Sequence, residues 1–248
     1  MIRLKLLIEY DGSCYVGWQK QKNGKSIQGE IEKCLKVLYK SNVRLFVAGR
    51  TDAGVHALGQ VAHFDIYPNN FEIRKICFAL NNLLKKNNNT ITILNCTKVS
   101  DKFHARFSAI KKTYNYKIYN REFKSYIWEN KVWSVNKKLC LVRMRTSSKF
   151  LIGFHNFNAF RSSNCQAENP ERSIDEIRIS KNSDIINIRI TARSFLHNQV
   201  RIIVGTICNI GEGKWDINKM KEILDSKNRN LAGITAPPSG LYLEKIYY

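Results

Sequence analysis

The segment Gly49-Arg50-Thr51-Asp52-Ala53-Gly54-Val55-His56 is the densest in reactive side chains. Arg50 stands two positions before Asp52, and attraction between opposite charges keeps the carboxyl ionised. An ionised carboxylate can act as a nucleophile. Glycines on either side let the backbone turn sharply and approach a bulky substrate. The same residues also make a plain turn closed by a surface ion pair, and taken alone the segment reads more simply that way.

Two further clusters carry chemistry. The first is His104-Ala105-Arg106-Phe107-Ser108, followed by Lys111-Lys112-Thr113-Tyr114-Asn115-Tyr116. Tyr114, Tyr116, Ile118 and Asn120 share one parity of a strand. Arginine beside aromatic rings suits RNA, because rings stack on unstacked bases and the guanidinium neutralises phosphate. The competing reading is a half-buried strand with core tyrosines, which fits Tyr116 or Tyr119 better than Tyr114 at the strand's start. The second cluster is Arg193-Ser194-Phe195-Leu196-His197-Asn198-Gln199-Val200-Arg201. Arg201 borders the apolar stripe of a helix, where an arginine needs an anionic partner, and Asp52 is a candidate. Solvation on the helix flank accounts for it equally well.

Familiar machinery is missing. The chain has no G-x-x-x-x-G-K-[ST], no G-x-G-x-x-G after a strand and no G-x-S-x-G, which removes support for ATP hydrolysis, dinucleotide redox and serine hydrolysis. His56, His63, His104, His155 and His197 fall in no zinc pattern, so no metal is expected. The seven cysteines are odd in number and lack C-x-x-C, as expected of reduced, packed thiols in a cytoplasmic protein. The chain opens directly on an amphipathic strand, so no signal peptide is expected. No uncharged apolar run approaches the roughly 18 residues of a membrane helix.

The 41 Lys and Arg outnumber the 20 Asp and Glu, for a net charge of +21. The excess is spread over both halves: residues 1–110 hold 17 basic and 8 acidic side chains, and residues 111–248 hold 24 and 12. A polyanion-binding surface fits this better than a detachable basic arm, and nucleic acid is the leading partner. A charge that serves only solubility is the bland alternative.

The elements that must position these clusters are legible from periodicity. Ile2, Leu4, Leu6, Ile8 and Tyr10 alternate with polar residues as an opening strand. Ile27, Ile31, Cys34, Leu35 and Leu38 mark a helix capped by Ser26, without a capping box because Gly29 occupies the third position after it. Strands over 44–48 and 59–66, a helix over 71–85 and a strand over 90–96 complete a β-α-β-β-α-β order. The second half repeats it. A strand spans 111–119, a weak helix 139–152 and a hairpin 176–180 with 184–192. Two helices follow, around 200–207 and 217–224, then a last strand over 241–247. The expected fold class is α+β, with two related β-α-β-β-α-β-like halves, 1–108 and 109–248, whose mainly antiparallel sheets pack side by side around a central basic cleft.

The order of these blocks resembles the bacterial TruA family of tRNA pseudouridine synthases over essentially the full length. Ile8-Glu9-Tyr10-Asp11-Gly12 with Gly17-Trp18-Gln19 resembles the family's opening strand and loop. Residues 49–56, continuing into Gly59-Gln60-Val61, match its signature without interruption. Residues 103–108, Tyr114, Phe160-Arg161, residues 195–201 with Val204-Gly205, and Gly240-Leu241-Tyr242-Leu243 match later blocks in the same order. Asn81-Asn82-Leu83-Leu84-Lys85 departs from the pattern by lacking an expected proline, and the 162–172 loop diverges apart from Cys165-Gln166 and Arg172.

The resemblance implies isomerisation of uridine to pseudouridine at positions 38, 39 and 40 of the tRNA anticodon stem-loop. It implies a homodimer without metal or organic cofactor. Asp52 is the implied catalytic aspartate, Tyr114 the ring that stacks on the target uracil and Arg201 the partner of the aspartate. Arg50 would position or displace the RNA, and Arg106 and Leu243 stand in matching blocks as further substrate-binding positions. Two rivals come from other classes. One is a non-catalytic RNA-binding protein. The other is a base-excising glycosidase, which commonly needs a second carboxylate, and Asp65 is the acidic residue nearest Asp52 in that segment.

Overall fold

The computed structural model describes residues 1–22, 24–67 and 72–248. Its described residues form a mixed α+β fold with ten strands, mainly antiparallel, and five α-helices. The chain divides into two compact units. The first comprises Met1–Ile110 with Leu243–Tyr248, and the second Lys111–Tyr242.

In the first unit β1 (Ile2–Tyr10) is set by its alternation, which buries Leu4, Leu6, Ile8 and Tyr10. It pairs antiparallel with β3 (His56–Ile66) on one side and β4 (Ile91–Val99) on the other. The two-residue β2 (Phe46–Val47) adds to β3, giving the order β4-β1-β3-β10, where β10 spans Leu241–Tyr247, with β2 attached. The strand β10 ends in this unit although it comes last in the chain. Helix α1 (Ile27–Tyr39) starts where Ser26 Oγ accepts from Gly29 N at 3.2 Å. It buries Ile27, Ile31, Cys34 and Leu35, and the capping bond is worth about 1 kcal/mol. Helix α2 (Ile73–Lys86) runs through the Asn-Asn-Leu-Leu-Lys stretch without a break. Asn81 ties it to β4, donating to Ile93 O at 2.9 Å and accepting from Ile93 N at 2.8 Å. Phe71, where the sequence places the start of this helix, lies outside the described residues.

In the second unit β5 (Lys111–Asn120) pairs antiparallel with β9 (Ile185–Ala192), then β8 (Glu171–Asn182) and β7 (Gly153–Asn156) follow. The short β6 (Trp133–Val135) joins β5 in parallel. Both parities of β5 are largely covered. Tyr116 and Ile118 are fully buried and Tyr119 nearly so. The core reading of the tyrosines therefore holds for Tyr116 and Tyr119. The weak helix expected over 139–152 resolves into α3 (Leu141–Ser148) and a single 3₁₀ turn (Lys149–Leu151). Helix α4 (Gln199–Gly211) is buried almost all round and α5 (Lys219–Ser226) follows it. No helix of the described residues is long and apolar enough to cross a membrane.

Candidate active site

Asp52 sits on the loop between β2 and β3, and the first unit grips that loop by its backbone. Gln60 Nε2 donates to Gly49 O at 2.7 Å, and the Tyr10 hydroxyl meets Thr51 Oγ1 at 2.7 Å. Trp18 N donates to Thr51 O at 3.0 Å, and Val55 N donates to Asp52 O at 3.2 Å. Gly54 takes φ +77° and closes the turn in a region that favours glycine. On the far side Gly12 packs flat on the loop, since a Cβ there would lie 2.0 Å from Val55 O. Gly12 N also donates to His56 Nδ1 at 3.1 Å. Burial pushes the Tyr10 hydroxyl up to about 12, so it stays a neutral hydrogen-bonding group. Thr51, Val55 and His56 are buried, Asp52 is half-buried, and Arg50 and Ala53 are exposed. A braced backbone thus carries a half-buried aspartate with an exposed arginine two residues before it.

Asp65, the second carboxylate of the sequence segment, lies near the far end of β3 and is committed elsewhere. Asp65 accepts two hydrogen bonds from Arg3, both at 2.7 Å, and this hydrogen bonding holds its carboxyl below the usual range. Arg3 also donates to Phe103 O at 2.8 Å, which anchors the turn carrying Arg106. Ala105 N donates to His63 Nδ1 at 3.1 Å, the Tyr248 hydroxyl donates to Ala105 O at 2.7 Å, and Arg106 N donates to His104 Nδ1 at 3.1 Å. Burial drives His63 down to about 4, so it is neutral and serves as an acceptor. Arg106 is exposed on this firmly held turn, with its guanidinium over the Phe107 ring at 5.6 Å. Leu243 is fully buried within β10.

The second unit holds Tyr114 and Arg201. Tyr114 is half-buried and lies opposite Ile190, its ring perpendicular to Phe195 at 5.2 Å between centroids. That contact sets the plane of the ring. Arg201 lies in the first turn of α4. Its Nη1 donates to Asn198 Oδ1 at 2.8 Å and its Nε to Ala236 O at 2.7 Å. Asn198 reaches this position from the left-handed region, φ 60°. The 233–240 segment that supplies Ala236 is laid tightly on its neighbours. A Cβ on Gly205 would lie 2.0 Å from Ile234 O, and one on Gly240 would lie 2.6 Å from the Tyr116 ring. The Tyr116 hydroxyl donates to Pro237 O at 2.7 Å, which secures the same segment.

A sequence model of the family described as tRNA pseudouridine synthase matches residues 6–108 and 148–248. The chain is 48% identical to the tRNA pseudouridine synthase A of Wolbachia pipientis wMel over all of both proteins. It is 46% identical to that of Ehrlichia chaffeensis, again over the whole of each, and 44% identical to that of Methylocella silvestris, covering 100% of this chain and 99% of the relative. The chain belongs to the tRNA pseudouridine synthase family.

A pseudouridine synthase is an isomerase, and this one converts uridine in tRNA. The matched stretches of the synthase include Arg50, Asp52, Arg106, Arg201 and Leu243, whereas Tyr114 falls between them. The structure brings Arg50 and Asp52 together on one loop, and holds Arg106 by the first unit and Arg201 and Tyr114 by the second. Residue types did not reveal the roles of Tyr10, Gln60 and Asn198. Tyr10 and Gln60 sit in matching blocks, but their grip on the loop depends on contacts 41 and 11 residues away in sequence.

Proposed function

We propose that Asp52 is the catalytic carboxylate of this tRNA pseudouridine synthase, and that the enzyme acts on uridines 38, 39 and 40 of the anticodon stem-loop. The single observation that supports the first part is the braced loop. Its backbone bonds restrain Thr51, Asp52 and Val55, while Asp52 as a residue is only half-buried. A preorganised charge of this kind loses little by reorganisation when the reaction occurs.

The reaction breaks the C1′–N1 bond, turns the uracil and forms a C1′–C5 bond. C5 gives up its hydrogen as a proton and N1 gains one, so no redox or phosphate donor is consumed. The target base must first leave its stack, at a cost of a few kcal/mol. Tyr114 is proposed to stack on that base, worth about 1–3 kcal/mol. Ionised Asp52 then attacks C1′ or C6, or removes the ribose 2′ proton. Arg201 supplies the favourable field for the charged aspartate, and its two clamps on Asn198 and Ala236 suit a fixed charge. Arg50 and Arg106, both exposed, take phosphates. Leu243 is proposed to shape the uracil's surroundings from within the core. In this reading the half 1–108 carries the catalytic loop and the half 109–248 completes RNA binding. The enzyme works in the cytoplasm as a homodimer.

The test is to map pseudouridines in tRNA from cells with and without the gene for this protein. Loss of pseudouridine at 38, 39 and 40 alone is expected. Loss at other positions, with these retained, would overturn the assignment of the stem-loop.

A further inference from the structure

A second concave surface in the first unit is not used by the Asp52 loop. A cavity of about 480 Å³ opens between α1 and the segment leading to β2, with Lys20, Gln28, Glu32, Lys33, Lys36 and Arg44 among its walls. Gln28, Glu32 and Lys36 recur every four residues, so they share one face of α1. That face is turned toward the 42–45 segment, because Glu32 Oε1 accepts from Leu45 N at 3.0 Å and from Gln28 Nε2 at 2.8 Å. One oxygen of the carboxylate in the wall is therefore held by neutral donors; its single negative charge stands against the three cations Lys20, Lys36 and Arg44, a net +2. Lys33 pairs with Glu30 at 2.6 Å. Lys20, Lys36 and Arg44 have no carboxylate within ion-pair distance among the described residues, and all three are exposed. The Arg44 guanidinium lies over the Phe46 ring at 5.2 Å, which limits its motion.

We propose that this cavity is a phosphate cradle for the tRNA backbone, separate from the reacting nucleotide. The proposal rests on the reading of tRNA as the substrate. Uncompensated cations facing one concavity in a chain of net charge +21 focus a field that a polyanion relieves. Long, exposed lysine stems along an open groove suit successive phosphates better than one enclosed anion, which favours converging backbone N–H groups. The location fits a strand that continues to the catalytic carboxylate. Lys20 follows Trp18 by two residues, and Trp18 N is bonded to Thr51 O. Arg44 leads through β2 into Gly49 and the Asp52 loop. Both walls thus run into the elements that brace Asp52.

Binding of unmodified tRNA across about 50–200 mM salt tests the cradle, using wild type, Lys36→Ala, Arg44→Ala, the double variant and Lys36→Arg. Each neutralisation is expected to weaken binding about fivefold and to reduce the slope of log K against log salt by nearly 1. Lys36→Arg keeps both, which a merely structural role for the amine would not predict. At saturating tRNA the kcat stays at the wild-type value while KM rises. Unchanged affinity and slope in the double variant would overturn the cradle. So would tight binding of inorganic phosphate that the double variant loses while tRNA affinity stays the same, since that marks a small-anion site. Absence of pseudouridine formation by the wild type would instead overturn the catalytic reading, because the cradle is judged on binding slopes.

Discussion

Replacing Gly17 by alanine shifts the position of Asp52 without altering its chemistry. Gly17 has φ +110°, which L side chains rarely adopt. A Cβ there would lie 2.7 Å from Thr51 O and 3.2 Å from both Ala53 N and the Asp52 carbonyl carbon. Ordinary carbon contacts begin near 3.5 Å, so the peptide groups flanking Asp52 must retreat by about 0.8 Å at Thr51 O and about 0.3 Å at the other two atoms. None of these atoms ends a flexible side chain, and Thr51 O is already held by Trp18 N. A displacement on the order of 1 Å costs about 100-fold in rate, so a 10- to 100-fold fall is expected. The backbone conformation costs a further 1–2 kcal/mol or so of stability, short of unfolding the chain at 25 °C. The assay is single-turnover release of tritium from C5-labelled uridine in tRNA at saturating enzyme, with a melting curve and a tRNA binding isotherm alongside. Binding within about twofold of wild type is expected. A folded Gly17→Ala enzyme that turns over at the wild-type rate would refute the link between this glycine and the aspartate. A loss of binding equal to the loss of rate would show that Gly17 touches RNA instead.

Three further outcomes follow from other contacts. Burial holds His63 at about 4 when folded, against an ordinary value near 6.5. The unfolded chain therefore takes up a proton first as pH falls. The stability is complete above pH 6.5, declines through the window down to about pH 4 and amounts to roughly 3 kcal/mol. His104 is shifted the same way, chiefly by burial. Urea unfolding at several pH values should show a shallower decline in His63→Gln, and parallel declines would contradict the assignment. In Gly205→Ala the new Cβ meets Ile234 O, a clash worth about 2 kcal/mol, so Tm should fall by about 4–8 °C. The 233–240 segment then shifts Ala236 O away from Arg201, and activity should drop with Tm; full activity would show that this clamp is dispensable. Tyr114→Phe should bind tRNA nearly as wild type while Tyr114→Ala loses about 5- to 100-fold, as stacking requires. Equal losses would argue against stacking.

Where local pattern decides an element, the sequence was enough. The alternation of Ile2, Leu4, Leu6, Ile8 and Tyr10 and the stripe of Ile27, Ile31, Cys34 and Leu35 each placed an element within a residue or so. The last strand, 241–247, agrees at both ends. The short strands β6 and β7 escaped because three or four residues carry too little periodicity. The weak helix over 139–152 was half right, since its last residues close a 3₁₀ turn and then leave the helix. That β10 ends in the first unit was not legible, because the packing of Glu244 against Gly59 joins residues far apart in the chain. The types at the candidate site were visible, above all Arg50 and Asp52. Their rigidity was not, since it depends on Tyr10, Gly12, Gly17 and Gln60 arriving from three separate segments.

The most direct measurement of the central claim is pseudouridine formation and tRNA affinity in Asp52→Asn. This substitution removes the charge and keeps the shape of the side chain. Binding within a fewfold of wild type together with no detectable pseudouridine is the predicted result. Turnover near the wild-type rate would contradict the account, because no other carboxylate in the loop could take over the role.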